Sequence, residues 1–109
     1  MIASIIITNY NYEKFLGRCI RSCLNQIISE PYEVILVDDY STDNSIQVAQ
    51  EFKNFKNFKV IRNKKNLGVA ASANLGFKKS KGKYVVRIDA DDFVSRDFLF
   101  FLTYYLKLD

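Results

Sequence analysis

Toward one end of the chain, Asp89-Ala90-Asp91-Asp92 places three carboxylates in four consecutive positions. Carboxylates that close repel one another unless solvent screens them or a cation sits among them. Hard oxygen donors separated by a small residue suit Mg2+ or Mn2+, with water and phosphate oxygens completing the shell. The plainer alternative is an acidic loop ahead of a helix, where carboxylates favour the N-terminal dipole, and Asp97 fits that alternative. A second acidic cluster, Asp38-Asp39 followed by Ser41-Thr42-Asp43, divides in the same way. Asp43 reads as a helix cap. Asp39 has no cap partner of its own, which leaves it free to accept hydrogen bonds from a base or ribose. Tyr10 offers an aromatic plate, and stacking on a base is worth about 1–3 kcal/mol in nucleic-acid sites. A loop tyrosine more often simply packs.

Absences narrow the chemistry further. Histidine is missing, which removes Ser-His-Asp triads, HExxH metalloproteases and His-bearing zinc sites. Cys19 and Cys23 are too few for a disulfide scaffold or a four-thiolate metal site, and their four-residue spacing on an apolar helix face reads as core. Neither G-x-G-x-x-G nor G-x-x-x-x-G-K-[ST] is present, so phosphate must be held by metal rather than by a glycine cradle. With 109 residues, 49% hydrophobic and 26% charged, the chain is expected to form one domain with one core. No apolar run approaches about 18 residues, and no basic region precedes the first apolar stretch. The expectation is a cytoplasmic chain without an export signal. The net charge of +4 conceals ten basic residues and no acidic one across residues 53–83. Such a run is ordinarily a solvated face; otherwise it attracts anionic lipid, nucleic acid or a diphosphate.

Four short apolar runs must position these groups. Residues 2–8, 33–37, 58–61 and 83–88 read as strands. Between them, a helix from Glu13 carries Phe15, Leu16, Cys19, Ile20, Cys23, Leu24 and Ile27 on one face. A second, capped by Ser41 or Thr42, carries Ile46, Ala49 and Phe52. A third, rich in small residues, turns Val69, Ala70, Ala73 and Phe77 inward. A last helix, capped by Ser95, turns Phe98, Leu99, Leu102, Tyr105 and Leu106 inward. Its remaining aromatics, Phe100 and Tyr104, call for cover from a second copy, hence a homodimer through this helix. The alternation predicts an α/β fold with a mainly parallel sheet and right-handed crossovers. Ligands of such sheets bind outside the carboxyl ends of the strands. Thr8-Asn9-Tyr10-Asn11, Asp38-Asp39, the loop 63–68 and Asp89-Ala90-Asp91-Asp92 all leave those ends, so they share one rim. Lys64 and Lys65 belong to that rim. Lys59, Lys78, Lys79, Lys81 and Lys83 belong to the opposite edge, where at most they attract a membrane surface.

The motifs Thr8-Asn9-Tyr10-Asn11, Val37-Asp38-Asp39-Tyr40-Ser41-Thr42-Asp43, Asn66-Leu67-Gly68-Val69-Ala70-Ala71, Asn74-Leu75-Gly76 and Asp89-Ala90-Asp91-Asp92 occur in a telling order and spacing. In both respects the chain resembles family 2 glycosyltransferases over nearly its whole length. The resemblance implies the GT-A fold, a Rossmann-like nucleotide-binding sheet. It also implies an inverting transfer of sugar from a nucleotide diphosphate donor, most often a uridine one, to a hydroxyl on a glycan or lipid-linked acceptor. Carried over by position, Thr8, Tyr10 and Asp39 would face the base and ribose, and Asn66 and Asn74 would join the nucleotide site. Asp89 would approach ribose or metal, and Asp91 would ligate the Mn2+ or Mg2+ that bridges the diphosphate. Lys64 or Lys65, above all Lys65, would hold donor phosphate or line the base pocket.

Three positions depart from, or vary within, the family pattern. Tyr40 stands where glycine or another small residue is common, which would narrow the donor pocket. Ala73 stands where many members carry arginine, which removes a phosphate-side contact. Arg87 reads first as an ion pair with an acid beside the sheet and second as a diphosphate partner. Family members continue past the metal motif into an acceptor-binding half that supplies the catalytic base. The expectation is therefore one donor-binding domain over residues 1–109, truncated at its C-terminal side, working at the inner face of a membrane. Three rivals stand beside it. One is a nucleotide-diphosphate-binding module without turnover. Another is a receiver-type phosphoacceptor domain, disfavoured because the first strand ends in Thr8-Asn9 and the third in Arg62-Asn63 rather than in acids. The last is a nucleic-acid-binding module, although nucleic acid is not an expected partner.

Overall fold

A computed structural model describes residues 1–108. Strands and helices alternate throughout: β1 (Ala3–Asn9), α1 (Glu13–Leu24), β2 (Tyr32–Asp38), α2 (Ser45–Gln50), β3 (Phe58–Arg62), α3 (Val69–Lys79), β4 (Tyr84–Asp89) and α4 (Phe98–Lys107). The strands form one parallel sheet in the order β3-β2-β1-β4. β1 and β2 occupy its centre and are buried on both faces, which is why their sequences ASIIITN and YEVILVD run apolar without a clean alternation. This is the mainly parallel α/β architecture that the sequence pattern predicts.

The pleat divides the core in two. Ile5, Ile7, Val34 and Leu36 pack against Leu16, Cys19, Ile20 and Cys23 of α1, Ala49 of α2, Phe52 just beyond it and Leu99 of α4. The two cysteines are free and buried, as core residues should be. On the other face Ile6, Ile35 and Val37 form a smaller cluster with Ile61 beneath α3. That helix approaches closely because its inward residues are Ser72, Ala73 and Gly76. A Cβ on Gly76 would stand 2.4 Å from Ile6 Cγ2. Val69, Ala70 and Phe77, expected inward, are instead exposed, and of the expected set only Ala73 is buried, because the helix seats its Ser72, Ala73 and Gly76 stripe on the sheet and turns the rest of its surface outward.

Other helix faces are corrected in the same way. Phe15 is exposed, and Ile27 lies past the end of α1 and is exposed too. In α4 the buried residues are Leu99 and Thr103, whose hydroxyl donates to Leu99 O at 2.7 Å; Tyr105 and Leu106 face outward with Phe100, Phe101 and Tyr104. Ser95 does not cap α4. Gln26 does, its Oε1 accepting from Leu99 N–H at 2.8 Å while its Nε2 donates to Ser95 O at 2.7 Å.

The strand-starting edge is tied by the buried Glu33. Its carboxylate accepts from Ser4 Oγ (2.6 Å), Lys81 N–H (2.7 Å) and Lys59 Nζ (3.2 Å). Burial alone would raise its pKa, but these donors outweigh that cost and hold it below the usual carboxylate range. Lys59 and Lys81 thus sit at the edge opposite the rim, as the strand polarity requires. No helix among the described residues is long and apolar enough to cross a membrane.

Candidate functional site

The helices on either side of β1 lie on opposite faces of the sheet, so β1 and β4 frame the switch point where a parallel sheet opens a crevice at its carboxyl ends. A cavity of about 510 Å³ lies there, lined by Thr8, Asn9, Tyr10, Tyr12, Asp39, Asn66, Gly68, Val69, Ser72, Arg87, Asp89 and Asp91.

The segments that follow β1 and β2 are laced together by hydrogen bonds. Asp38 is fully buried and accepts from Asn9 Nδ2 (2.9 Å), Ser41 N–H (3.0 Å) and Ser41 Oγ (2.7 Å). Asn11 adopts φ 60°, donates its N–H to Ser41 Oγ, and accepts from Thr42 N–H at 2.8 Å and Asp43 N–H at 3.2 Å. Asp43 then caps two helices at once, accepting from Glu13 N–H and Ser45 N–H at 3.0 Å each. Burial works against its charge, but these donors prevail and its pKa is lowered. Ser41 and Thr42, expected as caps, serve the loop instead, and Asp43 fulfils the capping role assigned to it. The chain turns through Tyr40 at φ 66°, a left-handed conformation that explains why glycine suits this position. The Tyr40 side chain points away to solvent and does not line the cavity, so the expected narrowing is absent.

Asp39 is not the free acceptor its sequence context suggests. Its Oδ1 accepts from Leu67 N–H (2.7 Å) and Asn63 Nδ2 (2.9 Å), and its Oδ2 accepts from Gly68 N–H (2.9 Å). Burial disfavours the carboxylate, yet these hydrogen bonds overcome it and lower the pKa. Asp39 therefore fastens the 63–68 loop and the start of α3 to the end of β2. Asn63 completes the link by donating to Ser72 Oγ at 3.0 Å.

The acidic motif stands across the cavity. Carboxylate oxygens of Asp89, Asp91 and Asp92 lie within 4.8 Å of one another. Thr8 Oγ1 donates to Asp89 Oδ1 at 3.2 Å, and Arg87 forms an ion pair with the same oxygen, which leaves Oδ2 for a further ligand. An all-oxygen cluster beside a water-accessible cavity fits a hard divalent cation. Arg87 is an ion-pair residue, as expected, but its partner is this candidate metal ligand and both line the cavity.

Of the residues singled out from sequence, Thr8, Tyr10, Asp39, Asn66, Asp89 and Asp91 come together here. Lys65 and Asn74 do not. Lys65, like Lys64, points into solvent from its turn, and Asn74 sits two residues beyond Ser72, on the far side of α3. Tyr12 and Ser72 line the cavity without having been singled out. Ser72 had a signal: it is the polar residue one helical turn beyond Gly68.

Residues 4–106 match the family described as "Glycosyl transferase family 2". The chain is 40% identical over 97 residues to an uncharacterized glycosyltransferase of Haemophilus influenzae, covering 88% of this chain and 38% of that protein. It is 37% identical over 102 residues to the poly(ribitol-phosphate) beta-glucosyltransferase of Bacillus spizizenii, covering 91% of this chain and 16% of that protein. Among solved structures, Staphylococcus aureus TarS 1–349 in complex with UDP superposes with a TM-score of 0.90 at 29% identity, over 99% of this chain and 32% of that one. The chain thus spans well under half the length of each of these proteins. The fold, the strand-end motifs and the match along nearly the whole sequence agree: the chain belongs to glycosyl transferase family 2.

Proposed function

We propose that this chain forms the donor-binding part of a glycosyltransferase that takes a nucleoside diphosphate sugar, with uridine as the base, and a divalent cation. The observation that carries the reading is the cavity at the β1/β4 switch point, where an acidic cluster, a guanidinium and an exposed tyrosine converge. TarS, a structural neighbour, was solved with UDP and with UDP-GlcNAc, which supports the choice of donor.

In this reading Tyr10 stacks on the base, and Thr8 and Asn66 border the ribose. Asp91 and Asp89, joined by Asp92, hold Mg2+ or Mn2+. When bound, the cation supplies charge stabilisation for the departing diphosphate. Arg87 serves the same end from the β4 side, its guanidinium balancing the Asp89 charge and facing donor phosphate. Inverting transfer also needs a carboxylate to take the acceptor proton. The carboxylates lining the cavity have other duties: Asp39 holds a loop, while Asp89 and Asp91 serve the cation. The base therefore comes from outside this chain, and the acceptor is a hydroxyl on a glycan or lipid-linked glycan at the cytoplasmic side of a membrane.

Calorimetric titration of UDP, GDP, CDP and ADP, each with Mn2+, with Mg2+ and in chelator, tests the reading. UDP should bind most tightly with metal and far more weakly in chelator, and Asp91→Asn should remove most of that difference. Equal binding in chelator by both proteins would overturn the metal assignment, and equal binding of all four nucleotides would overturn the uridine assignment.

A further inference from the structure

A second concavity, of about 490 Å³, lies on the α1/α2 face of the sheet, away from the carboxylate rim. Arg18, Arg21 and Arg96 line it together with apolar Leu24, Phe52, Phe55 and Val94. Arg18 and Arg21 are three apart on α1 and so project from one side of that helix. Arg96 arrives on the segment between β4 and α4. That segment is held in place, since Val94 N–H donates to Ser22 Oγ at 3.1 Å and Arg96 O accepts from Ile27 N–H at 2.7 Å. The Arg18 guanidinium lies 4.3 Å from the centre of the Phe93 ring, and Phe93 is itself 60% exposed.

None of the three arginines pairs with a carboxylate among the described residues, whose ion pairs are Lys59–Glu33, Arg87–Asp89 and Lys107–Glu30. Three guanidinium groups around one groove repel one another, and an anion entering it relieves that repulsion. Guanidinium forks match phosphate oxygens with two donors at a time. A soluble phosphate would have no use for the apolar walls, nor for the exposed rings of Phe55 and Phe93 at the margin. Basic residues interleaved with phenylalanine and leucine suit an amphiphile at an interface, the charge meeting the headgroup and the rings entering the acyl boundary.

We propose that this groove binds an anionic phospholipid, with the phosphodiester on Arg18, Arg21 and Arg96 and the apolar arm against Leu24, Phe52 and Phe55. The contact is separate from the donor cavity, which opens at the carboxylate rim beside α3. It is separate as well from the lysines of the strand-starting edge.

Flotation with phosphatidylcholine vesicles, with and without phosphatidylglycerol, tests the proposal. The chain should float only with the anionic lipid. Each basic residue at such a surface adds about 1 kcal/mol, so Arg18→Gln/Arg21→Gln/Arg96→Gln should weaken binding on the order of a hundredfold. Phe55→Ser should weaken it severalfold with no change of charge, which a purely electrostatic attraction would not produce. Lys78→Gln/Lys79→Gln/Lys81→Gln removes the same charge elsewhere and should change binding little. Circular dichroism and urea midpoints confirm that each variant folds, and UDP titration of the arginine variant should match the parent, which keeps this test independent of the donor site. The proposal is overturned if the lysine variant loses as much as the arginine variant. It is equally overturned if soluble glycerophosphoglycerol binds as tightly as the vesicles do, or if the chain floats with neither lipid at low salt.

Discussion

Asp39 and Asp89 face one another across the same cavity, yet their surroundings give them opposite work. Asp39 is buried and spends both oxygens on three donors from the 63–68 loop and the start of α3. Asp89 is half-exposed and spends one oxygen on Thr8 and Arg87. Asp39→Asn leaves an amide facing two backbone N–H groups, which should cost about 1–3 kcal/mol in urea unfolding and loosen the loop. Amide exchange at Leu67 and Gly68 reports that loosening directly. The pH dependence follows from the direction of the shift. A carboxyl whose native pKa lies below its unfolded value stabilises fully above about pH 4, and that contribution is lost as pH falls through the native pKa. Glu33 and Asp43 are shifted the same way. Urea midpoints should therefore drop steeply on the acid side, and less steeply for Asp39→Asn than for the parent. An acid limb of unchanged slope would show that the Asp39 hydrogen bonds contribute no net stability.

Two glycines show how closely neighbouring elements approach. A Cβ at Gly76 would press on the Ile6 side chain at 2.4 Å and come within 3.3 Å of Val37 Cγ2. One at Gly82 would meet backbone, with Ala3 C and Ser4 N both at 2.4 Å. Side chains can shift rotamer, whereas the backbone of a central strand cannot move aside. Gly76→Ala should cost about 1–3 kcal/mol, as overpacking usually does, and Gly82→Ala should cost more. Urea unfolding of both variants checks the order. The same elements mark how far the sequence could be read. All eight were legible, because β-branched runs and helical spacing do not imitate each other over these lengths. The inward face of α3 was not, since periodicity locates a stripe but says nothing of how near the sheet it lies. Gln26 as the cap of α4 was hidden by a separation of 73 residues, and the donors to Asp39 by 24 or more. At the rim, strand polarity placed Thr8, Tyr10, Asp39, Asn66, Asp89 and Asp91 together. It could not see that Lys65 and Asn74 point elsewhere, because a turn and a helix each rotate adjacent residues away from one another.

At the scale of the molecule, one feature of the sheet bears on how the chain comes into being. β1 lies between β2 and β4, and its partner on the β4 side arrives 81 residues later, where Thr8 aligns with Asp89. Translation at about 5–20 residues per second leaves the intervening span unmade for on the order of ten seconds. During that interval β1 can pair with β2, but its other edge presents bare amide and carbonyl groups beside Ile5 and Ile7. Such an edge is a template for pairing with other chains. A chain ending after Gly82 should consequently scatter light and sediment as aggregates where the 109-residue chain stays clear. Adding UDP with Mn2+ should not rescue it, because Arg87, Asp89 and Asp91 belong to the missing portion. A shortened chain that stayed monomeric would show that α1 and α3 alone shield the edge. The nascent chain thus passes through a sticky infancy in which added nucleotide cannot act as a chaperone, and that exposure should end when β4 leaves the ribosome.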